Sequence, residues 1–129
     1  MDRVECAAFG HSPKQALILG LRGSSLAWTV LGDGRPVAML GVAPISVIDG
    51  RGAIWMLATD DAYQGRRLWI KLAPKMIKAM LDEWPRLENL IAVENVKAVR
   101  VLKWLGFQFD GEVRYERGVP FRRFWRTRE

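Results

Sequence analysis

Apolar positions along this chain come in short runs, and the spacing inside each run decides the element it predicts. Residues 14–21 carry apolar side chains at near-helical spacing behind Ser12-Pro13, an opening in which proline suits the first turn, and the run stops before Gly23. A first helix is predicted there. Residues 26–31 and 36–42 flank Gly32-Asp33-Gly34-Arg35, where glycine permits the positive φ of a tight reversal, so the two stretches predict a β-hairpin. Asp49-Gly50-Arg51-Gly52 is a second turn. The apolar run 53–58 behind it is too short for a helix and predicts a buried strand.

Over 66–84 the period changes. Trp69, Leu72, Ala73, Met76, Ile77, Met80 and Trp84 stand three or four apart, the spacing of one helix face, and Pro85 ends the segment. Pro74 interrupts this pattern, because an interior proline loses its bond to the carbonyl of Ile70 at a cost of about 3 kcal/mol. A kink is expected, or a helix that starts near Ala73. Residues 87–93 predict a strand. Residues 95–105 predict a helix with Val99, Leu102 and Leu105 inward and Gly106 as its stop. Residues 107–109, the Asp110-Gly111 turn, 113–115 and 121–125 finish a mixed, mostly antiparallel sheet. The order is that of an α/β (α+β) fold, expected as a single domain over 1–129.

Composition narrows the chemistry. A chain of 129 residues, 50% of them apolar, suits one hydrophobic core. No run reaches the roughly 18 apolar residues of a membrane span, and the first residues lack the apolar core of a secretory signal, so a soluble protein made in the cytoplasm is expected. Cys6 and His11 are each the single residue of their type, which argues against disulfides, zinc and Cys/His nucleophilic pairs. The net charge of +6 lies entirely beyond residue 60. Arg114, Arg117, Arg122, Arg123, Arg126 and Arg128 crowd the end, a composition that suits phosphate or an acidic partner. A solvated basic face is the plainer reading, and nucleic-acid binding through this half is the alternative. Trp28, Trp55, Trp69, Trp84 and Trp104 fall at positions expected to face the core or its boundary rather than to stack on bases.

The segment Ile91-Ala92-Val93-Glu94-Asn95-Val96-Lys97-Ala98, running on to Leu105-Gly106-Phe107, resembles the strand-to-helix segment of the GNAT acetyltransferase superfamily. There an Asn, an Ala three residues later and a terminal Gly-Phe support the arm of the cofactor. The residue types have a physical rationale of their own: Asn caps a helix entry, Ala permits close packing and Gly allows a left-handed exit. The superfamily's other signature is a Gln/Arg-x-x-Gly-x-Gly/Ala loop that brings backbone amides to a pyrophosphate. Here it reads Gln64-Gly65-Arg66-Arg67-Leu68-Trp69, with Arg67 and Trp69 in place of the small residues, so the loop is expected to be degenerate. The cofactor-binding candidates implied by the resemblance are Gln64, Gly65, Arg66, Arg67, Asn95 and Ala98. Trp55 and Met56 stand where many members carry a catalytic carboxylate, and Leu102 where a tyrosine often protonates the thiolate. Asp60, Asp61, Tyr63 and Tyr115 are the substitutes, and no catalytic residue is assigned.

A closer resemblance covers nearly the whole chain. His11-Ser12-Pro13, Met39-Leu40-Gly41-Val42-Ala43-Pro44-Ile45, Trp55-Met56-Leu57-Ala58-Thr59-Asp60, Arg100-Val101-Leu102-Lys103-Trp104-Leu105-Gly106-Phe107 and Val119-Pro120-Phe121-Arg122-Arg123-Phe124 are similar to the internal virion protein A family of short-tailed phages, a GNAT-related group. This resemblance implies a virion-associated or assembly protein on an inactive GNAT scaffold, found in the host cytoplasm during synthesis and then in the virion. Phage structural proteins or self-association are the partners it implies, without a cofactor. The alternative is a working N-acetyltransferase that moves an acetyl group from acetyl-CoA to an amine. The N-terminal strand of such folds is expected to be missing, leaving residues 26–31 as an open sheet edge for another chain.

Overall fold

The computed structural model describes residues 23–32, 34–58 and 66–128, and the helix predicted at 14–21 lies outside them. Within the described residues the chain runs β1 (Leu26–Gly32), β2 (Arg35–Ser46), β3 (Arg51–Ala58), α1 (Arg66–Glu83), β4 (Arg86–Ala92), α2 (Val96–Trp104), β5 (Gln108–Phe109), β6 (Arg114–Glu116) and β7 (Val119–Thr127). The strands make one sheet in the order β1-β2-β3-β4-β7-β5, with β6 also on β7. Every pairing is antiparallel except β3 with β4. This is the mixed, mostly antiparallel sheet with flanking helices that the element order predicts.

Strand alternation explains which side carries the core. Leu26, Trp28 and Val30 of β1 lie opposite Val42, Leu40 and Ala38 of β2, and Leu40 and Val42 in turn lie opposite Met56 and Ile54 of β3. These side chains share one face, and the apolar stripe of α1, Met76, Ile77, Met80 and Leu81, packs on it together with Trp84 and with Ala98 of α2. Gly52 makes the fit. A Cβ there would stand 2.6 Å from Val42 Cγ2 and 2.9 Å from Trp84 Cγ, so only glycine lets the indole reach the sheet. Phe124 of β7 meets Phe107 edge to face, with ring centroids 5.3 Å apart, and closes the core beside α2. On the opposite face, Ala92 and Phe121 form a smaller buried cluster with Leu90 and Val119.

Two expectations need correction. The helix starts at Arg66, well before Pro74, and not near Ala73. The bond that Pro74 cannot make to Ile70 is outweighed by burial of the stripe on either side of it, since Ala73, Met76, Ile77, Met80 and Leu81 are all buried. Trp104 is the second: it is 56% exposed on the outer side of α2, whereas Trp84 is 7% exposed and Trp28 and Trp55 are half-buried. The side chain of Trp69 lies outside the described residues.

Part of the basic C-terminus is engaged in holding the fold. Arg126 donates from Nη1 to the Leu105 carbonyl at 2.6 Å, and Arg128 donates to the carbonyls of Leu81 and Asp82, both at 2.6 Å. Leu105 is the C-cap of α2, and Leu81 and Asp82 lie in the last turn of α1, so these carbonyls have no intrahelical partner and a cation there also meets the negative end of the helix dipole. Arg114 pairs with Glu116 at 3.3 Å. Arg122 and Arg123 remain exposed on β7.

Candidate active site

The site is built by the one parallel pairing in the sheet. β3 and β4 pair at Arg51 with Arg86, Gly52 with Leu87 and Ala53 with Glu88, and their register ends there while both strands run on, β3 to Ala58 and β4 to Ala92. At the point of divergence Asn89 takes over. Its Nδ2 donates to the Ile54 carbonyl at 2.6 Å, and its Oδ1 accepts from the Leu90 amide at 2.7 Å. A side-chain amide thus stands in for the ladder bond that the separating backbones no longer form.

The paired end is pinned. Glu88, 6% exposed on the face away from the helices, accepts from Arg51 at 2.8 Å and from Arg86 at 2.9 Å. The Arg86 guanidinium also lies 4.6 Å from the centroid of the Trp125 ring. Burial by itself raises the Glu88 carboxyl, but the hydrogen bonds and charges of Arg86 and Arg51 outweigh it and hold the group below its ordinary value.

Beyond the pin, the gap opens into an apolar cavity of about 90 Å³. Trp55 and Met56 of β3, Asn89 of β4, Asn95 and Ala98 at the entry of α2, and Leu102 further along it are among its walls. The volume exceeds what a single water needs several times over, and the wall is mostly hydrocarbon. Trp55 is fixed by two devices. Its Nε1 donates to Ser24 Oγ at 2.7 Å, and its ring lies over Gly41, where a Cβ would stand 2.9 Å from Cζ2.

Of the residues expected to hold a cofactor, the structure brings two together. Asn95 is the N-cap of α2, its Oδ1 accepting from the Ala98 amide at 3.4 Å, and Ala98 is 5% exposed beneath it. Both line the cavity. Arg66 and Arg67 are the first residues of α1, which has no acidic residue in its first turn, and their side chains lie outside the described residues. Gln64 and Gly65 also lie outside, as do Asp60, Asp61 and Tyr63. Tyr115 is 70% exposed on β6 and is not part of the cavity wall. Leu102 and Trp55 do occupy the wall where a tyrosine and a carboxylate were sought. Among the described residues, the side chains lining the cavity are all non-titratable.

Sequence reasoning missed Asn89 and the Arg51–Glu88–Arg86 cluster. The signal for the cluster was present: Glu88 is an isolated acid within an apolar strand, two residues from Arg86, and an acid in such a place needs partners. Nothing local marks Asn89, whose role arises only where two strands far apart in sequence part company.

The acetyltransferase (GNAT) family model matches residues 4–107. The chain belongs to that family. The spermine/spermidine N(1)-acetyltransferase of Bacillus subtilis (strain 168) is 33% identical over 87 residues, a match covering 64% of this chain and 57% of the relative. The chain therefore spans somewhat more than half the length of that curated relative. Among solved structures, the ribosomal-protein-alanine N-acetyltransferase of Brucella melitensis superposes with a TM-score of 0.67 at 14% identity, covering 89% of this chain and 76% of that one. A ribosomal L7/L12 α-N-protein acetyltransferase in complex with coenzyme A gives 0.66 at 16% identity, covering 86% and 66%. A spermidine N-acetyltransferase chimera from Vibrio cholerae and hSSAT gives 0.62 at 16% identity, covering 78% and 66%. These structural likenesses support the fold. None of these relatives is a virion protein, and nothing in the similarities supports the phage virion family or an inactive scaffold.

Proposed function

We propose that this chain is an acyl-coenzyme A-dependent N-acyltransferase that acylates an amine, the alternative left open by the sequence. The observation that carries the reading is the split of β3 from β4 after Ala53 and Glu88, with an apolar cavity in the gap.

The gap suits the arm of such a cofactor. Two strands that separate while still extended present backbone donors and acceptors toward each other, and an arm carrying two amides can pair with both sides as an inserted strand would. Backbone groups of Trp55 to Leu57 and of Leu90 to Ala92 would hold it, with Asn89 at the apex and the Asn95 turn at the mouth. The bare first turn of α1 suits the phosphates through its dipole. When bound, an acyl thioester supplies an activated carbonyl: the amine nitrogen forms the C–N bond, the C–S bond breaks, and the amine's proton passes to the thiol.

The chain's own contribution is positioning. Hydrocarbon walls from Met56, Leu102 and Ala98 exclude water and so disfavour hydrolysis of the thioester. The curated relative acts on spermine and spermidine, as its name states, so a polyamine is the first acceptor to offer.

Calorimetric titration of acetyl-CoA, followed by thiol release with spermidine present, tests the reading. Binding in the micromolar range, about −8 kcal/mol, with thiol release that depends on the amine is expected. No binding up to millimolar acetyl-CoA would overturn it.

A further inference from the structure

The cavity is wider than the gap that opens it. An arm inserted between β3 and β4 as a strand needs room in the plane of the sheet, yet the space also runs beneath the helices on both sides of that gap. Leu40 of β2, opposite Met56, bounds it on one flank, and Phe124 of β7, opposite Asn89, bounds it on the other. Above the sheet it is closed by Ala73 and Ile77, one turn apart on α1, and by Val101 of α2 with its C-cap Leu105. An arm that carries amides would strand them among these side chains, because the polar groups on the wall, on Asn89, Asn95 and Trp55, each already hold a partner. The part of the cavity under the helices therefore suits hydrocarbon, and in an acyl-coenzyme A the acyl chain is the part that carries no hydrogen-bonding group beyond its carbonyl.

We infer that this space is an acyl-chain pocket, that the preferred donor is a short-chain acyl-coenzyme A of about four acyl carbons, and that Val101 sets the length the pocket takes. The inference rests on the N-acyltransferase reading. At about 90 Å³ the cavity is roughly three times a water's share of the liquid, so it holds on the order of three methylene-sized groups. The single methyl of an acetyl group would fill about a third of it and leave the rest as a void whose lining lacks contacts on one side. A butyryl chain fills it. Val101 is half-buried, whereas Ile77 beside the same space is 1% exposed and locked in the core, so the side chain at 101 is the one that can change size without rebuilding the core.

Calorimetric titration of acetyl-, butyryl- and octanoyl-CoA into the full chain, with no amine present, reads the pocket apart from catalysis. Each methylene taken from water should tighten binding about fourfold, so butyryl-CoA is expected to bind about fivefold to fifteenfold tighter than acetyl-CoA. Octanoyl-CoA, longer than the cavity, should lose that gain. Val101→Phe fills the space and should bring butyryl-CoA down to the affinity of acetyl-CoA, while Val101→Ala enlarges it and should move the preference toward hexanoyl-CoA. A merely structural role would shift all donors in the same direction in both variants, which would remove Val101 as the length-setting residue. Should Val101→Phe not fold, the wild-type series and Val101→Ala still decide. Butyryl-CoA binding no tighter than acetyl-CoA to the wild-type chain overturns the inference while leaving acetyl transfer intact. Absence of binding by every donor would overturn both.

Discussion

Asn89 Nδ2 reaches the Ile54 carbonyl at 2.6 Å, at the last point where β3 and β4 are still close enough to touch. This bond sets where the gap begins. Replacing the amide by Asn89→Leu leaves a buried carbonyl and the Leu90 amide short of a partner, at about 1–3 kcal/mol each. The expected outcome is a loss of about 2–6 kcal/mol in urea unfolding and, because the apex of the gap loses its template, weaker acetyl-CoA binding in the same titration. Unchanged affinity in a destabilised variant would separate the two roles and remove Asn89 from the site.

Leu102 stands on the wall at the position where a proton donor to the thiol was sought. Leu102→Tyr adds a hydroxyl there. Positioned acids contribute substantially to such steps, and even an imperfectly placed phenol should raise kcat about tenfold. Overpacking of this partly buried site should cost about 1–3 kcal/mol, read as a lower melting temperature. A fall in kcat with intact folding would mean that the thiolate is protonated from elsewhere.

Gly52 and Gly41 are tolerant of no side chain for different reasons. At Gly52 an added Cβ meets the branched Val42 and the Trp84 ring, both deep in the core, so Gly52→Ala should destabilise by about 1–3 kcal/mol. At Gly41 it would approach the Leu26 carbonyl to 2.5 Å as well as the Trp55 ring. Gly41→Ala should therefore disturb β1 and release Trp55 together, which chemical denaturation and the tryptophan emission maximum would register.

Glu88 links stability to acid. Its carboxyl is held below the ordinary 4.5, so it contributes stability that is fully present above that value and is lost as pH falls through its lower value in the folded chain. Melting temperature should accordingly drop on going below about pH 4.5, more steeply than in Glu88→Gln. The variant should also be less stable at neutral pH, by about 1–3 kcal/mol, since glutamine leaves Arg51 and Arg86 one acceptor oxygen between them and no negative charge. Parallel acid profiles of the two proteins would show that other carboxylates govern the transition.

Arg126 and Arg128 should behave as caps. Arg128→Ala leaves the Leu81 and Asp82 carbonyls to water and is expected to cost about 1 kcal/mol, with Arg126→Ala similar. Thermal melts at low and high salt would check this. If DNA binding is present at all, these two substitutions should change it less than Arg122→Ala and Arg123→Ala, whose side chains are exposed.

The sheet and both described helices were readable because their signals are local: a glycine turn between residues 26–31 and 36–42, a short apolar run at 53–58, period three to four in 66–84, glycine at 34 and 106. Gly34 and Gly106 indeed hold φ of 78° and 87°. Pro74 misled, because a local penalty of a few kcal/mol says nothing about the burial that surrounds it. Trp104 misled in the other direction, as α2 has too short an apolar face to bury every large residue on it. In the site, Asn95 and Ala98 were legible since a cap and its third residue are neighbours in sequence. Asn89 and the arginine caps were not, because each depends on a residue at least 21 positions away, whereas Glu88 carried a local signal in Arg86 two residues before it and only its Arg51 partner is distant. The virion reading rested on short similar stretches, which fix a fold more readily than a task, and the family match and the curated relative support only its acetyltransferase part.

The three-residue ladder between β3 and β4 has a mechanical consequence. It makes the sheet two leaves, β1 to β3 and β4 to β7, joined along their common border by one short seam, with α1 lying across both. Such a seam is the natural place for the molecule to come apart and for a bound guest to sew it together. Amide exchange in the unliganded chain should then show the two leaves opening as separate cooperative units, and filling the gap should fuse them into one.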